Sequence, residues 1–246
     1  KVYTLATKQS RTLLTDRHIF PGADGDLYYR WSPDGQWLLF DYSIPGFAPP
    51  EIGLVRADGT GEVVNLTRSG FSDRRARWIL GGTAMLWASD RDGLRSAAQS
   101  GGAQSDAYAL FFTKEAWDRY RLTKEEYALL KEAEEKRDKA KAEAAKEKKD
   151  TPAKETAPEP VRIDLDGLDT RRARLTIHSS SLGDAVVTRD GETLYYLARF
   201  ERGLNLWSTN LRTRETKMVL ALNATSGSLE WDKEQKALFL LADGAL

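Results

Sequence analysis

Imidazole and thiol chemistry is scarce in this sequence: its 246 residues include two His and no Cys. His178 is followed by Ser179, Ser180 and Ser181, which invites a serine–histidine reading. A catalytic dyad needs side chains that converge in space, whereas neighbours along a strand point to opposite faces. No Gly-x-Ser-x-Gly elbow is present to expose a nucleophile. His178 is therefore expected at a strand end without a catalytic role, and His18 lies between Arg17 and Ile19 near the start. The carboxylates of Asp164-Leu-Asp-Gly-Leu-Asp169 suggest calcium at first sight. An EF-hand loop wants its Gly at the sixth place and a Glu at the twelfth. Here Gly167 is fourth and no Glu follows in register, so a turn is the better reading. Phosphate-cradling loops of the Walker or dinucleotide type are also missing. No catalytic residue, metal or cofactor is expected in this chain.

What remains is recognition chemistry. Ser72-Asp-Arg-Arg-Ala-Arg77 is the densest basic run among the strand-like segments. Arg74 and Arg75 could bind carboxylates at a rim, against the commoner alternative of a solvated strand edge. Ligand stacking calls for aromatics on loops, and Phe47 within Ile44–Pro50 and Phe71 within Ser69–Asp73 are the candidates. Trp117 and Tyr120, on a short helix-forming segment, are further candidate partner contacts. The 37 basic and 37 acidic side chains cancel. That argues against a dedicated nucleic-acid surface, which needs a clustered basic excess. No apolar run is long enough to span a bilayer. Lacking Cys, the chain has no disulfides, which fits several compartments. Val2–Leu5 already reads as strand and Lys1 is no initiator Met, so the chain is expected to begin inside a longer protein.

The elements that must position these residues are organised around Trp31-Ser-Pro-Asp-Gly-Gln-Trp-Leu-Leu-Phe40, an aromatic, a tight turn and a run of strand formers. Trp78–Trp87, Val187–Tyr196 and Trp231–Leu240 repeat its plan. The starts are 47 (31 to 78), 109 (78 to 187) and 44 (187 to 231) residues apart. A period of about 40–50 residues is that of a four-stranded propeller blade, and the long gap is one blade plus an insertion of about 60. Seven Asp-Gly pairs punctuate the chain, at Asp24, Asp34, Asp58, Asp92, Asp166, Asp190 and Asp243. Asp-Gly favours the positive φ angles of tight hairpins. The fold class is thus all-β: about four repeat units of a β-propeller, as a partial or trimmed ring, with an inserted charged α-helical arm. Strands are expected at Val2–Leu5, Thr12–Leu14 and Leu27–Trp31 before the second strand of the opening hairpin. The division expected is blades over 1–112, a helical insertion and Pro-rich linker over 113–160, and further blades over 161–246. Within the insertion Thr123-Lys-Glu-Glu126 is a capping box with Leu122 and Tyr127 at its staple positions. Leu129 and Leu130 supply an apolar patch for docking, Glu132/Lys136 and Glu135/Lys139 could pair along the helix, and the remainder projects into solvent.

The Trp31-Ser-Pro-Asp-Gly35 turn with Trp37 and Phe40 resembles the repeat of TolB-type propellers. Glu51–Thr67, Ser89–Arg95 and Leu206–Arg212 together are similar to the propeller region of bacterial tricorn-like serine peptidases. In that family propellers precede a PDZ domain and a catalytic core of the C-terminal-processing-protease type. The resemblance implies a non-catalytic domain that gates or positions peptide substrate, or serves as an assembly scaffold, inside a serine endopeptidase (a hydrolase). The partners implied are peptides or proteins and the rest of the parent chain, with a homo-oligomer left open. The location implied is periplasmic or secreted, with a cytoplasmic one also open. The alternative is a TolB-like protein-interaction propeller of the cell envelope that uses the helical insertion as a docking arm.

Overall fold

The computed structural model describes residues 1–15, 17–18, 27–42, 49–96, 102–146 and 159–245. Three four-stranded antiparallel meanders follow one another along the chain. The first holds β3 (Tyr29–Trp31), β4 (Trp37–Tyr42), β5 (Glu51–Arg56) and β6 (Val64–Asn65). The second holds β7 (Asp73–Ile79), β8 (Ala84–Ser89), β9 (Asp106–Phe111) and β10 (Arg172–Arg174). The third holds β11 (Ser181–Val187), β12 (Thr193–Arg199), β13 (Leu204–Asn210) and β14 (Thr216–Ala224). A hairpin of β1 (Val2–Thr4) and β2 (Gln9–Arg11) precedes them, and one of β15 (Gly227–Trp231) and β16 (Leu238–Ala242) follows. Helices α1 (Lys114–Arg121) and α2 (Lys124–Lys146) are inserted between β9 and β10. These are blades 1, 2 and 3 of a partial β-propeller with a helical insertion, plus the first hairpin of a fourth blade.

The repeat seen in the sequence is the first hairpin of each blade. Trp31, Trp78, Val187 and Trp231 pair with Leu38, Met85, Leu194 and Leu238. Local chemistry closes these hairpins. In blade 1 Gly35 N donates to Ser32 O at 2.9 Å, Trp37 N to Ser32 Oγ at 2.9 Å and Gln36 N to Asp34 Oδ1 at 3.1 Å. Blade 3 repeats the set with Gly191, Thr193 and Glu192 on Thr188 and Asp190. Gly35 and Gly191 take φ of 69° and 75°, which costs a glycine little. In the fourth hairpin, where the sequence lacks Gly, Gln235 takes φ 55° instead, a strain of about 1 kcal/mol.

The middle strands of blade 2 are apolar at nearly every position because blades cover both of their faces. In β8 and β9, Ala84, Leu86, Ala107, Ala109 and Phe111 pack with Ala185, Val187, Leu194 and Tyr196 of blade 3. The alternate residues Met85, Trp87, Tyr108 and Leu110 pack with Leu39, Ile52 and Leu54 of blade 1. This is strand periodicity serving two cores at once. The expected strand at Thr12–Leu14 is displaced to Gln9–Arg11, since Leu13 and Leu14 pack under Leu38, Phe40 and Val55 instead.

The insertion is anchored at its near end. Thr113 caps α1, its hydroxyl accepting from Ala116 N. The capping box of α2 forms reciprocally, with Thr123 N donating to Glu126 Oε2 at 2.8 Å and Glu126 N to Thr123 Oγ1 at 3.2 Å. Tyr127 is buried and its hydroxyl donates to Asp190 O at 3.1 Å. The docking residue is therefore Tyr127, and the expected patch residue Leu129 is 67% exposed. Charge pairs tie helix to helix and helix to blade, through Arg119–Glu134 and Lys131–Glu192, where pairs along α2 were expected. Arg212, from the turn after β13, donates to the carbonyls of Arg119, Tyr120 and Leu122 at the end of α1. Its guanidinium also lies 3.7 Å from the Tyr127 ring centroid.

A cation with three carbonyls at a helix C-terminus and an aromatic face beneath it holds the insertion down. Arg212→Met is expected to cost about 2–3 kcal/mol and to speed hydrogen exchange in α1 and α2 while β12 and β13 stay protected.

Candidate functional site

The first strands of the blades converge. Arg30 and Trp31 of β3, Arg77 to Ile79 of β7, Val186 and Val187 of β11, and Glu230 and Trp231 of β15 line one cavity of about 510 Å³. Two of the recurring Trp residues join blade to blade, while Trp31 is exposed. Trp78 Nε1 donates to Arg30 O at 3.1 Å, and Trp231 Nε1 to Val187 O at 3.0 Å.

Arg77 crosses between blades. Its Nη2 donates to both oxygens of Asp184 at 2.7 and 2.8 Å, and its Nη1 to Leu229 O at 2.9 Å. Asp184 also accepts from Ala185 N and Leu229 N at 2.9 and 2.8 Å. The pair is largely desolvated, with side chains 15% and 6% exposed. Arg77 and Asp184 also line a second cavity of about 320 Å³, with Arg74, Arg75, Leu86 and Gly183.

Both strands that flank this second cavity are bulged, β7 between Arg74 and Arg77 and β11 between Leu182 and Asp184. Bulges re-aim side chains and gather near binding sites. In β7 the bulge places Arg75 at φ 59°, and its amide donates to Asp41 Oδ1 of β4 at 2.9 Å. In β11 a side chain on Gly183 would press on Leu204 and Leu197 at 3.1 and 3.3 Å. Arg74 and Arg75 are exposed, and among the described residues neither forms an ion pair; Arg74 Nε donates to Ser72 Oγ at 3.0 Å. Burial pushes the Asp41 carboxyl up to about 6, against the pull of the Arg75 amide and the Arg74 and Arg75 charges.

The other candidates from sequence lie apart. Phe71 is half-buried in the loop before β7, two residues ahead of that strand, where Arg91 and Arg95 approach its ring. Trp117 and Tyr120 sit under α1 against Phe111, with ring centroids 5.4 and 4.7 Å from it. Phe47 lies outside the described residues. His178 is exposed, and the Asp164 and Asp166 carbonyls receive the Arg171 guanidinium. Sequence reasoning found Arg74, Arg75 and Arg77 as a run but missed Asp41 and Asp184, their partners across blades. A charged residue within an apolar strand was the available signal.

No protein-family model matches the sequence, and it has no match among curated proteins. In structure it is similar to the tricorn protease, with TM-score 0.56 and 11% identity over 88% of this chain and 20% of that one. It is also similar to hydrazine synthase of Kuenenia stuttgartiensis, at 0.50 and 12% over 88% and 27%. TolB from Acinetobacter baumannii gives 0.49 and 16% over 99% and 45%. The chain thus spans less than half of each of these proteins. At such identities the likeness to the first two establishes the fold, a β-propeller, and nothing about activity.

Two measurements probe the site. Asp184→Ala leaves the Arg77 charge without its partner and is expected to cost about 3–5 kcal/mol in urea unfolding, more than Arg77→Met/Asp184→Leu together. Asp41 behaves differently. Its folded value, raised above the ordinary 3.8, makes its stabilising contribution complete below that pH and lost as pH rises to about 6. The Arg75 amide resonance should titrate with a midpoint of about 6, and Asp41→Asn should flatten the stability profile across that window.

Proposed function

We propose that this chain is a non-catalytic propeller domain of a tricorn-like serine peptidase, positioning peptide along its converging first strands. Catalysis on this reading belongs to another part of the parent protein, with its PDZ domain and C-terminal-processing-type core. The observation that carries the reading is the bulge of β7, which presents Arg74 and Arg75 at the second cavity with no carboxylate among the described residues paired to either guanidinium. An arginine fork matches a carboxylate bidentately, so an acidic side chain or the free C-terminus of a peptide is the fitting ligand. The Leu86 and Leu182 side chains beside it offer apolar contact to the neighbouring residue. The setting proposed is periplasmic or secreted, as in the family that the repeat resembles.

A second reading keeps the fold and changes the role: an envelope interaction propeller that docks partners through the helical arm. The exposed, charged stretch of α2 over residues 135–140 favours it. One experiment separates the two. Short peptides with free or amidated C-termini are titrated into the wild-type chain, into Arg74→Gln/Arg75→Gln and into a chain with residues 135–156 deleted. The first reading expects about tenfold weaker binding on losing the arginines or the terminal carboxylate and no change on losing the arm. It fails if binding ignores both arginines.

A further inference from the structure

Blade 2 carries a second group of cations around Phe71, in the loop that leads into β7. The Arg91 guanidinium lies 5.3 Å from the Phe71 ring centroid and 5.9 Å from that of Tyr108, and Arg95 lies 4.9 Å from Phe71. Arg172 of β10 is near enough that the Arg91 charge, after burial, depresses its pKa. Among the described residues none of these three arginines forms an ion pair.

The neighbouring acids are already engaged. Asp73 accepts from Ser69 Oγ at 2.6 Å and Trp87 Nε1 at 3.0 Å. Asp90 accepts from Ser72 N at 2.9 Å, and Asp92 is taken by the Tyr108 hydroxyl. Internal donors thus hold the Asp73, Asp90 and Asp92 carboxylates in place; Asp73 and Asp169 act on Arg172 through their charges, without an ion pair among the described residues.

The scaffold beneath is rigid. Phe71 N donates to Ser69 Oγ at 3.0 Å, and Ser72 and Asp90 are joined through backbone and side chain. The turn that bears Arg91 and Arg95 is pinned where Gln104 N donates to Leu94 O at 2.9 Å. A side chain on Gly93 would strike Gln104 O at 2.0 Å, so this turn packs with no space to spare. Guanidinium groups beside aromatic rings retain N–H donors along their edges, and a fixed fork loses little entropy on pairing.

We infer that Arg91, Arg95 and Arg172, gathered around Phe71 and Tyr108, form a docking site for the carboxylates of an acidic peptide segment. A run of Asp or Glu side chains offers several carboxylates, relieves the repulsion between Arg91 and Arg172, and lays its methylenes on the Phe71 ring. Three arginines around two rings make a compact patch. Tracking a nucleic-acid backbone takes a longer basic stripe, and the chain has no net positive charge. The site is separate from Arg74 and Arg75 and does not depend on their role.

The test is fluorescence anisotropy of a fluorescein-labelled hexaglutamate peptide against the whole chain, with hexalysine and hexathymidylate as comparison probes. Hexaglutamate should bind, weaken with salt, and lose about tenfold or more in affinity in Arg91→Gln/Arg95→Gln. Phe71→Leu should weaken it by a smaller factor, and Arg74→Gln/Arg75→Gln should leave it unchanged. The inference is overturned if hexaglutamate does not bind, or if hexathymidylate binds more tightly. It is also overturned if only the Arg74/Arg75 variant loses affinity, or if the Arg91/Arg95 variant, with unaltered melting temperature, binds as well as wild type.

Discussion

The ion pair of Arg77 with Asp184 fixes how the first strands meet. Charges in so dry a place are stable only when nearly every donor and acceptor is used. Here both Asp184 oxygens accept from Arg77 Nη2, and they also take the Ala185 and Leu229 amides. Arg77 Nη1 goes to Leu229 O, so three successive blades share one polar node. A hydrophobic pair could match its stability, but it would leave the Leu229 amide and carbonyl unanswered. The node therefore sets the relative position of β7, β11 and β15, and with them the walls of both cavities.

Away from that node the ring is held by shape. The second blade presents Ala84, Ala107 and Ala109 toward blade 3 and the larger Met85, Trp87 and Tyr108 toward blade 1. Small residues on one face let the facing Tyr196 and Leu194 approach, while large ones fill the opposite gap. In blade 1 a single position shows how tight this packing is: a side chain on Gly53 would fall 2.3 Å from the Phe40 ring. The indole bonds of Trp78 and Trp231 then add direction to packing that is otherwise non-directional.

The parts of this architecture that were legible in the sequence are those set by local chemistry. The Ser/Thr-x-Asp-Gly turn writes its own hydrogen bonds over six residues, so blades 1 and 3 announced themselves. The same holds for the capping box of α2. What stayed hidden depends on which blade faces which. Asp41 looks like any strand residue until blade 2 brings the Arg75 amide to it, 34 positions away. Asp184 lies 107 positions from Arg77, and Arg91 and Arg95 acquire meaning only when the loop holding Phe71 folds beside them. Leu129 misled because apolar spacing along a helix cannot say which residue meets the blade; Tyr127 does, by reaching Asp190.

Departures from the repeat gather on blade 2. Between β9 and β10 it carries the helices, which brace the hairpin turns through Tyr127 on Asp190 and Lys131 on Glu192, while Val161 N, on the returning chain, donates to Asp34 Oδ2 at 2.7 Å. At the opposite ends of its strands it carries the bulge of Arg74 and Arg75 and the arginines around Phe71. Strand β7 runs between these regions, from the arginine bulge to the Leu80–Gly82 turn that opens at its end. Bracing one end of a strand lowers the freedom of the other, since the ladder with β8 transmits register as a unit. The insertion thus has a structural use even where α2 meets no partner: it braces the blade whose other end holds arginines that form no ion pair among the described residues, and a stiff array of guanidinium groups discriminates between anions better than a loose one.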